Sequence, residues 1–163
     1  MLLVIALKWV LLGRAKPGQH PLWSCWCSRW DLLYVAWGYL ARGILAPLGG
    51  TLLLAWFLRA MGTRVGRRVV LGGAFAQVVD PDMLRFDDDA TVDGIFQAHS
   101  FEDRLLKLDH VRIRERATLG AGALLFYGAD IGAGAHVSPQ SVVMKNERLP
   151  AGRAVEGAPT RRR

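Results

Sequence analysis

The hydrophobic positions of this chain follow two different rules, one on each side of residue 62. On the C-terminal side, Ile113, Leu119, Leu125, Ile131, Val137 and Val143 recur every six residues without a miss. Four positions after each of the first five stands a small residue: Ala117, Ala123, Ala129, Ala135 and Ser141. Period six fits neither an α-helix at 3.6 nor a strand at 2. It predicts hexapeptide repeats that wind short parallel strands into a three-sided β-helix, all-β and left-handed, from about Val65 to Ala154. The aliphatic residue points into the prism and the small one fits the tight interior near each corner. Gly122 and Gly128 fall between ladder positions, where the chain must turn.

Upstream the ladder continues with interruptions. Val65 and Leu71 are six apart, as are Phe86, Val92 and Ala98. Leu71 to Phe86 and Ala98 to Ile113 each span two and a half repeats, so extra chain leaves the prism at both places. Excursions from a regular solenoid are where function concentrates. The first holds Asp80-Pro81-Asp82 and the second runs from Gln97 to Arg104.

The N-terminal side, residues 1–61, is apolar and predicted helical, and residues 62–163 form the β-helix unit behind a Gly- and Arg-rich linker, Gly62 to Arg68. Leu32 to Leu58 holds one charge, Arg42, and is interrupted by Pro47, Gly49 and Gly50. A single span needs about 20 apolar residues. The stretch is long enough, yet Pro and Gly leave open a broken helix, a membrane hairpin, or two soluble helices packed on the β-helix. Met1 to Leu12 is too short to span, carries Lys8 and lacks the features of a signal peptide. It reads as the second half of a transmembrane helix, and the chain as a piece of a longer protein.

Charge sharpens this division. Residues 1–68 contain nine Lys or Arg and one acid, Asp31, whereas the remainder carries twelve bases and thirteen acids. All six tryptophans, Trp9, Trp23, Trp26, Trp30, Trp37 and Trp56, lie in the basic part. Amphipathic rings and cations beside apolar runs predict association with a membrane interface, with the β-helix on the cytoplasmic side. The bases are dispersed among apolar residues and form no polar basic face, which argues against nucleic acid. Cys25 and Cys27 are too close for a comfortable disulfide and lack partners for a zinc site.

The second excursion carries a family resemblance. Gln97 to Arg104, followed by the repeat block at Val111, resembles the loop of maltose- and galactoside-type acetyltransferases, left-handed β-helix enzymes in which a His soon followed by an Arg precedes the restart of the repeats. Ser141 to Lys145, Leu149 to Gly152 and Glu156 to Pro159 resemble that family's closing stretch. More specifically, nearly the whole chain is similar to the terminal region of non-ribosomal-peptide-synthetase-like proteins, including ε-poly-lysine synthetases. The matching motifs are Leu11 to Arg14 (LLGR), Lys16 to Trp23 (KPGQHPLW), His99 to Arg104 (HSFEDR) and Val142 to Lys145 (VVMK). The pattern is broken at Arg114, where Gly is usual, at Phe126-Tyr127-Gly128, and at Arg161-Arg162-Arg163, where a coenzyme-binding tail often continues.

The resemblance implies an acyltransferase-like module that moves a thioester-bound acyl or aminoacyl group to an amine or hydroxyl. The donor is a carrier-protein phosphopantetheine thioester or acyl-CoA, and no metal is required. Partners are neighbouring β-helices in a trimer or pseudo-trimer of tandem modules, a carrier domain and the membrane. The alternative is a non-catalytic scaffold within a larger synthetase.

Individual residues then take roles. His99 is the catalytic candidate, because imidazole suits deprotonation of the attacking amine. Glu102 or Asp103 either orients that imidazole or pairs with Arg104 or Lys107; together with Arg104 they are expected near the substrate. Asp80 and Asp82 either hold a cationic acceptor or serve ordinary turn chemistry. Lys145, Arg153 and Arg161, with Ser141, are assigned to the donor, the cations meeting its phosphate. His110 and His136 lack the five-residue spacing of the zinc-binding β-helix enzymes.

Overall fold

A computed structural model of the chain describes residues 1–78 and 80–162. Three ladders of parallel strands form the faces of a prism. The first stacks Arg64–Val65, Leu84–Phe86, Val111–Ile113, Asp130–Ile131 and Arg148–Leu149. The second stacks Val70–Leu71 on the start of Thr91–Gln97, then on the start of Thr118–Phe126, His136–Val137 and Ala154–Glu156. The third pairs the ends of the two long strands with Val142–Val143. The six-residue ladder lands as the pattern requires: Ile113 stacks on Ile131, Leu119 on Val137, and Leu125 on Val143. All six are buried, as are Ala117, Ala123, Ala129, Ala135 and Ser141 at the corners. Each buried aliphatic side chain contributes roughly 1.5–3 kcal/mol.

The upper coils depart from the expected register at one point. Phe96, not Ala98, lies opposite Leu125. Val92 pairs with Leu119 but Gly94 already pairs with Ala123, so the chain cuts the corner two residues short. Only glycine permits this, since a Cβ at 94 would run into Leu119 and lie 2.7 Å from the Ala123 carbonyl. Phe96 then joins Phe75 and Phe86, with ring centroids 5.4 to 5.6 Å apart, to fill the upper prism. The chain left over beyond Phe96 emerges as an antiparallel hairpin, His99–Glu102 with Leu105–Leu108.

The N-terminal residues form four helices: α1 (Leu2–Leu11), α2 (Cys25–Leu40), α3 (Arg42–Leu45) and α4 (Leu52–Met61). Ser24 caps α2 by accepting from the Cys27 amide, and α4 stops at Gly62, whose φ of 112° a side chain would resist. Of the readings left open for Leu32–Leu58, a single continuous span does not form. That stretch becomes the end of α2, α3, a 3₁₀ turn at Ala46–Leu48 and most of α4, because Pro47 and Gly50, with φ of 73°, break it. Among the described residues no helix is long and apolar enough to cross a membrane, and Met1–Leu12 contributes only the ten-residue α1. The helices instead bury one side against the upper prism. Trp37 donates its indole N–H to the Ala76 carbonyl at 2.8 Å, and Leu45, Leu54, Leu58 and Met61 join Phe75 and Met83 in one apolar core that runs unbroken across residue 62. Their outer side remains apolar and exposed, with Tyr39, Leu52 and Trp56 each more than 70% accessible.

Candidate active site

The hairpin is the only antiparallel excursion among the described residues apart from the chain's end, and its turn explains its shape. Asp103 and Arg104 have φ of 55° and 60°, the pair of left-handed residues that lets a two-residue turn match strand twist. Its second strand also pairs with Gly18–Pro21, so three strands form a small sheet outside the prism. The Leu22 amide adds a bond to the Arg104 carbonyl at 3.1 Å, and His20 stacks on Trp26 with centroids 3.8 Å apart. Two motifs with 75 residues between them in the chain, Lys16–Trp23 and His99–Arg104, thereby become one structure.

At the hairpin's base lies a buried polar triad. His99 Nδ1 donates to Asp80 Oδ2 at 2.6 Å, and Asp80 Oδ1 accepts from the Trp30 indole N–H at 2.9 Å. All three residues are buried. Asp80 comes from the first excursion, His99 from the second and Trp30 from α2, so each element supplies one member. With Nδ1 protonated toward the carboxylate, Nε2 is left as the basic nitrogen. Trp30 and Phe101 meet the imidazole edge-on, each with centroids 5.2 Å away, and fix the plane of the ring. Trp30 carried no signal in the sequence beyond its membership of the Trp-rich segment.

Asp82 lies close by but faces elsewhere. It forms a 2.9 Å salt bridge with Lys8, both side chains almost fully buried, and accepts from the Ala15 amide at 3.0 Å. Burial lowers the Lys8 ammonium below its ordinary range even though Asp82 acts in the opposite direction. Neither Asp80 nor Asp82 therefore presents a free carboxylate to a cationic acceptor. Orientation of His99 belongs to Asp80, while Glu102 pairs with Lys107 at 3.1 Å and with Lys145, and Asp103 pairs with Lys107 at 3.2 Å.

The other sequence candidates scatter. Lys145 is engaged by Glu102 and sits 5.5 Å from the Tyr127 ring centroid. Ser141 is an interior corner residue whose hydroxyl accepts from the Gly157 amide at 3.1 Å, out of reach of a ligand. Arg153 is exposed on the turn before Ala154–Glu156, and Arg161 lies in the final strand, antiparallel to Val155–Glu156; no bond joins either to the hairpin, and Arg163 lies outside the described residues. His136 is half-buried in the second face. Among the described residues no group of three His, Cys, Asp or Glu side chains converges as a metal site.

No family model matches the chain. It is 31% identical over 162 residues to the delta-poly-L-ornithine synthetase of Acinetobacter baumannii, a match covering 97% of this chain and 12% of that protein. The chain thus spans about an eighth of that relative's length. Among solved structures it is similar to a hexapeptide-repeat acetyltransferase from Vibrio cholerae, with 19% identity, a TM-score of 0.53, and coverage of 64% of this chain and 62% of the other. The same kind of acetyltransferase complexed with acetyl coenzyme A matches with 16% identity and a TM-score of 0.50 over 74% of this chain and 82% of the other. Serine acetyltransferase from Neisseria gonorrhoeae matches with 17% identity and the same score over 75% of this chain and 49% of the other. These are left-handed β-helix proteins, and the shared fold is the left-handed hexapeptide β-helix.

Proposed function

We propose that the chain is an acyl-transfer module that moves a thioester-bound acyl or aminoacyl group onto an amine or hydroxyl. The observation that carries this reading is the 2.6 Å bond from His99 to the buried Asp80. Nε2 takes a proton from the acceptor as its nitrogen or oxygen attacks the thioester carbonyl. The new C–N or C–O bond forms, the C–S bond breaks, and the leaving thiolate recovers the proton from the imidazolium. Asp80 holds the tautomer and stabilises the imidazolium, and a backbone N–H of a neighbouring coil serves the oxyanion. The acetyltransferases among the solved relatives support acyl transfer. The similarity to an ornithine polymer synthetase supports an aminoacyl donor within a longer protein; we place that donor on a carrier phosphopantetheine and the module beside neighbouring β-helices in a trimer or pseudo-trimer. Acyl-CoA is the alternative donor. The exposed apolar outer side of the helices, beside basic residues, supports association with a membrane surface on its cytoplasmic side; flotation of the chain with anionic vesicles tests it, and a chain that stays behind rejects it.

One observation favours the scaffold reading: the His99 side chain is only 10% accessible. A single experiment separates the two. In the longer protein that carries this chain, consumption of the loaded carrier thioester is followed with and without acceptor. His99→Ala should slow transfer about 10²- to 10⁴-fold, roughly 3 to 5 kcal/mol, and leave loading intact. His136→Ala serves as the near-neutral control. Normal transfer by a correctly folded His99→Ala protein would establish the scaffold.

A further inference from the structure

The first face of the prism carries a column of guanidinium groups that the triad does not use. Strand register sets Arg64, Arg85, Arg112, Asp130 and Arg148 opposite one another on successive coils. Their neighbours Phe86, Ile113, Ile131 and Leu149 are buried, so the column faces outward. Paired strands stand about 4.8 Å apart, which crowds the like charges of Arg64, Arg85 and Arg112 at a cost that a balancing anion removes. Asp130 illustrates a balanced position, accepting two bonds from Arg114 at 2.8 and 2.7 Å. Among the described residues no salt bridge engages Arg64, Arg85, Arg112 or Arg148.

Arg85 is the most telling member. It donates an Nη hydrogen to His110 Nε2 at 2.8 Å, a neutral acceptor rather than a carboxylate. Its Nε is shut away from solvent without any hydrogen-bond partner, a costly state for a cation's donor. Burial, and then Arg64 and Arg112, lower its hold on the proton, and burial followed by Arg85 does the same to His110. Two grooves, about 120 and 230 Å³, meet at Arg85 and His110; Arg14, Lys16 and Arg64 line the first, Arg112 and Arg148 the second. The acids at their rims already have partners: Asp82 has Lys8, Asp130 has Arg114, and Asp109 accepts from the His110 amide at 2.6 Å.

We propose that this double groove binds a ligand bearing two or more phosphate groups, centred on Arg85 and flanked by Lys16 and Arg64 on one side and Arg112 and Arg148 on the other. Guanidinium forks match phosphate oxygens bidentately, and two adjoining cationic lobes suit linked phosphates better than one carboxylate. The phosphates belong either to a soluble pyrophosphate ester or to a lipid headgroup. The inference does not depend on transfer by His99.

Calorimetric titration of the full chain with inorganic pyrophosphate is the first arm of the test. Sedimentation with phosphatidylcholine vesicles, with and without cardiolipin, whose headgroup carries two phosphates, is the second. Binding should weaken about tenfold or more in Arg85→Gln and in Arg112→Gln, the equivalent of losing one charged hydrogen bond. It should fall as salt rises and be unchanged in Arg116→Gln, an exposed arginine of the β-helix that lines neither groove. Pyrophosphate binding with this dependence assigns a soluble ester, and recruitment only to cardiolipin vesicles with the same dependence assigns a headgroup. No binding in either arm, or binding that survives Arg85→Gln combined with Arg112→Gln in a folded protein, overturns the proposal.

Discussion

The coils from Ile113 to Leu149 and the coils above them are built from one repeat and differ in what they bury. Below, the interior is aliphatic residues and alanines, with Ser141 as the lone polar exception, bonded to a backbone amide. Above, where the chain leaves the prism, Lys8, Asp80 and His99 are buried together with the indole of Trp30. A regular solenoid repeats its neighbour's contacts, so every inward position must satisfy the same requirement and only apolar groups do so cheaply. Irregularity admits buried ionisable groups, because segments from far apart in the chain can be brought to satisfy them. The contrast teaches that stability and chemistry occupy different coils.

Substitutions can break that comparison. The largest stability effect is expected from Asp82→Ala, which leaves the Lys8 ammonium buried without its partner and should cost about 3–5 kcal/mol in denaturant unfolding. Lys8→Met with Asp82→Leu should regain most of it, since an apolar pair of similar size does not need compensation. If the double variant is no better than the single, the pair is not the source of the loss.

In the regular coils, Ile131→Ala should cost roughly 2–5 kcal/mol through lost contacts and a residual cavity, yet leave transfer kinetics unchanged where the protein stays folded. A fall in transfer rate under those conditions would show that the two regions are coupled.

Trp30→Phe is a finer probe. It removes one donor from Asp80 while preserving an aromatic ring, and transfer should drop about tenfold. The pH profile of the rate should shift as well, because Asp80 then holds the imidazole with one constraint fewer. A purely structural role would lower stability and leave that profile in place.

The smallest effect concerns His110. Burial, then Arg85, hold its pKa below 6.5 in the folded protein, against smaller opposing effects from the Met83 carbonyl and Asp109. The unfolded chain therefore takes up a proton near that value while the folded one resists, so stability falls as pH drops through it. His20, also lowered by burial, adds in the same direction. Comparing unfolding midpoints at about pH 7.5 and about pH 5.5, His110→Gln should show a shallower decline than the parent. An unchanged slope would place the acid sensitivity elsewhere.

What could be read from the sequence follows the same division. The ladder from Ile113 to Val143 was legible because its period is local and each hit confirms the last. Ala98 misled because the shortcut at Gly94 deletes two residues from the repeat, and only cross-strand register reveals that Phe96 has taken the position. His99 stood out by its motif and its excursion. Its partner did not, since Asp80 lies 19 residues away in a separate excursion and resembles ordinary turn chemistry. The turn at Asp103-Arg104 has no Asn-Gly or Asp-Gly signature, so the hairpin could not be told from a plain loop. Leu32–Leu58 was apolar enough to span a membrane, and Pro47 and Gly50 marked where it breaks, but hydropathy does not tell a membrane hairpin from helices packed on the prism.

A stack of parallel strands is an open template, and in principle a second molecule can continue it. Here the lowest coil is finished by the reversed strand Arg161–Arg162, which covers Val155–Glu156 with two arginines. The neighbouring edge at Arg148–Leu149 is only two residues long, carries a charge and is followed by Pro150. Short, charged and proline-terminated edges are how natural sheets refuse addition of foreign strands. At this edge the reversed, arginine-bearing strand and the short charged one leave little free backbone for a second molecule to pair with end on.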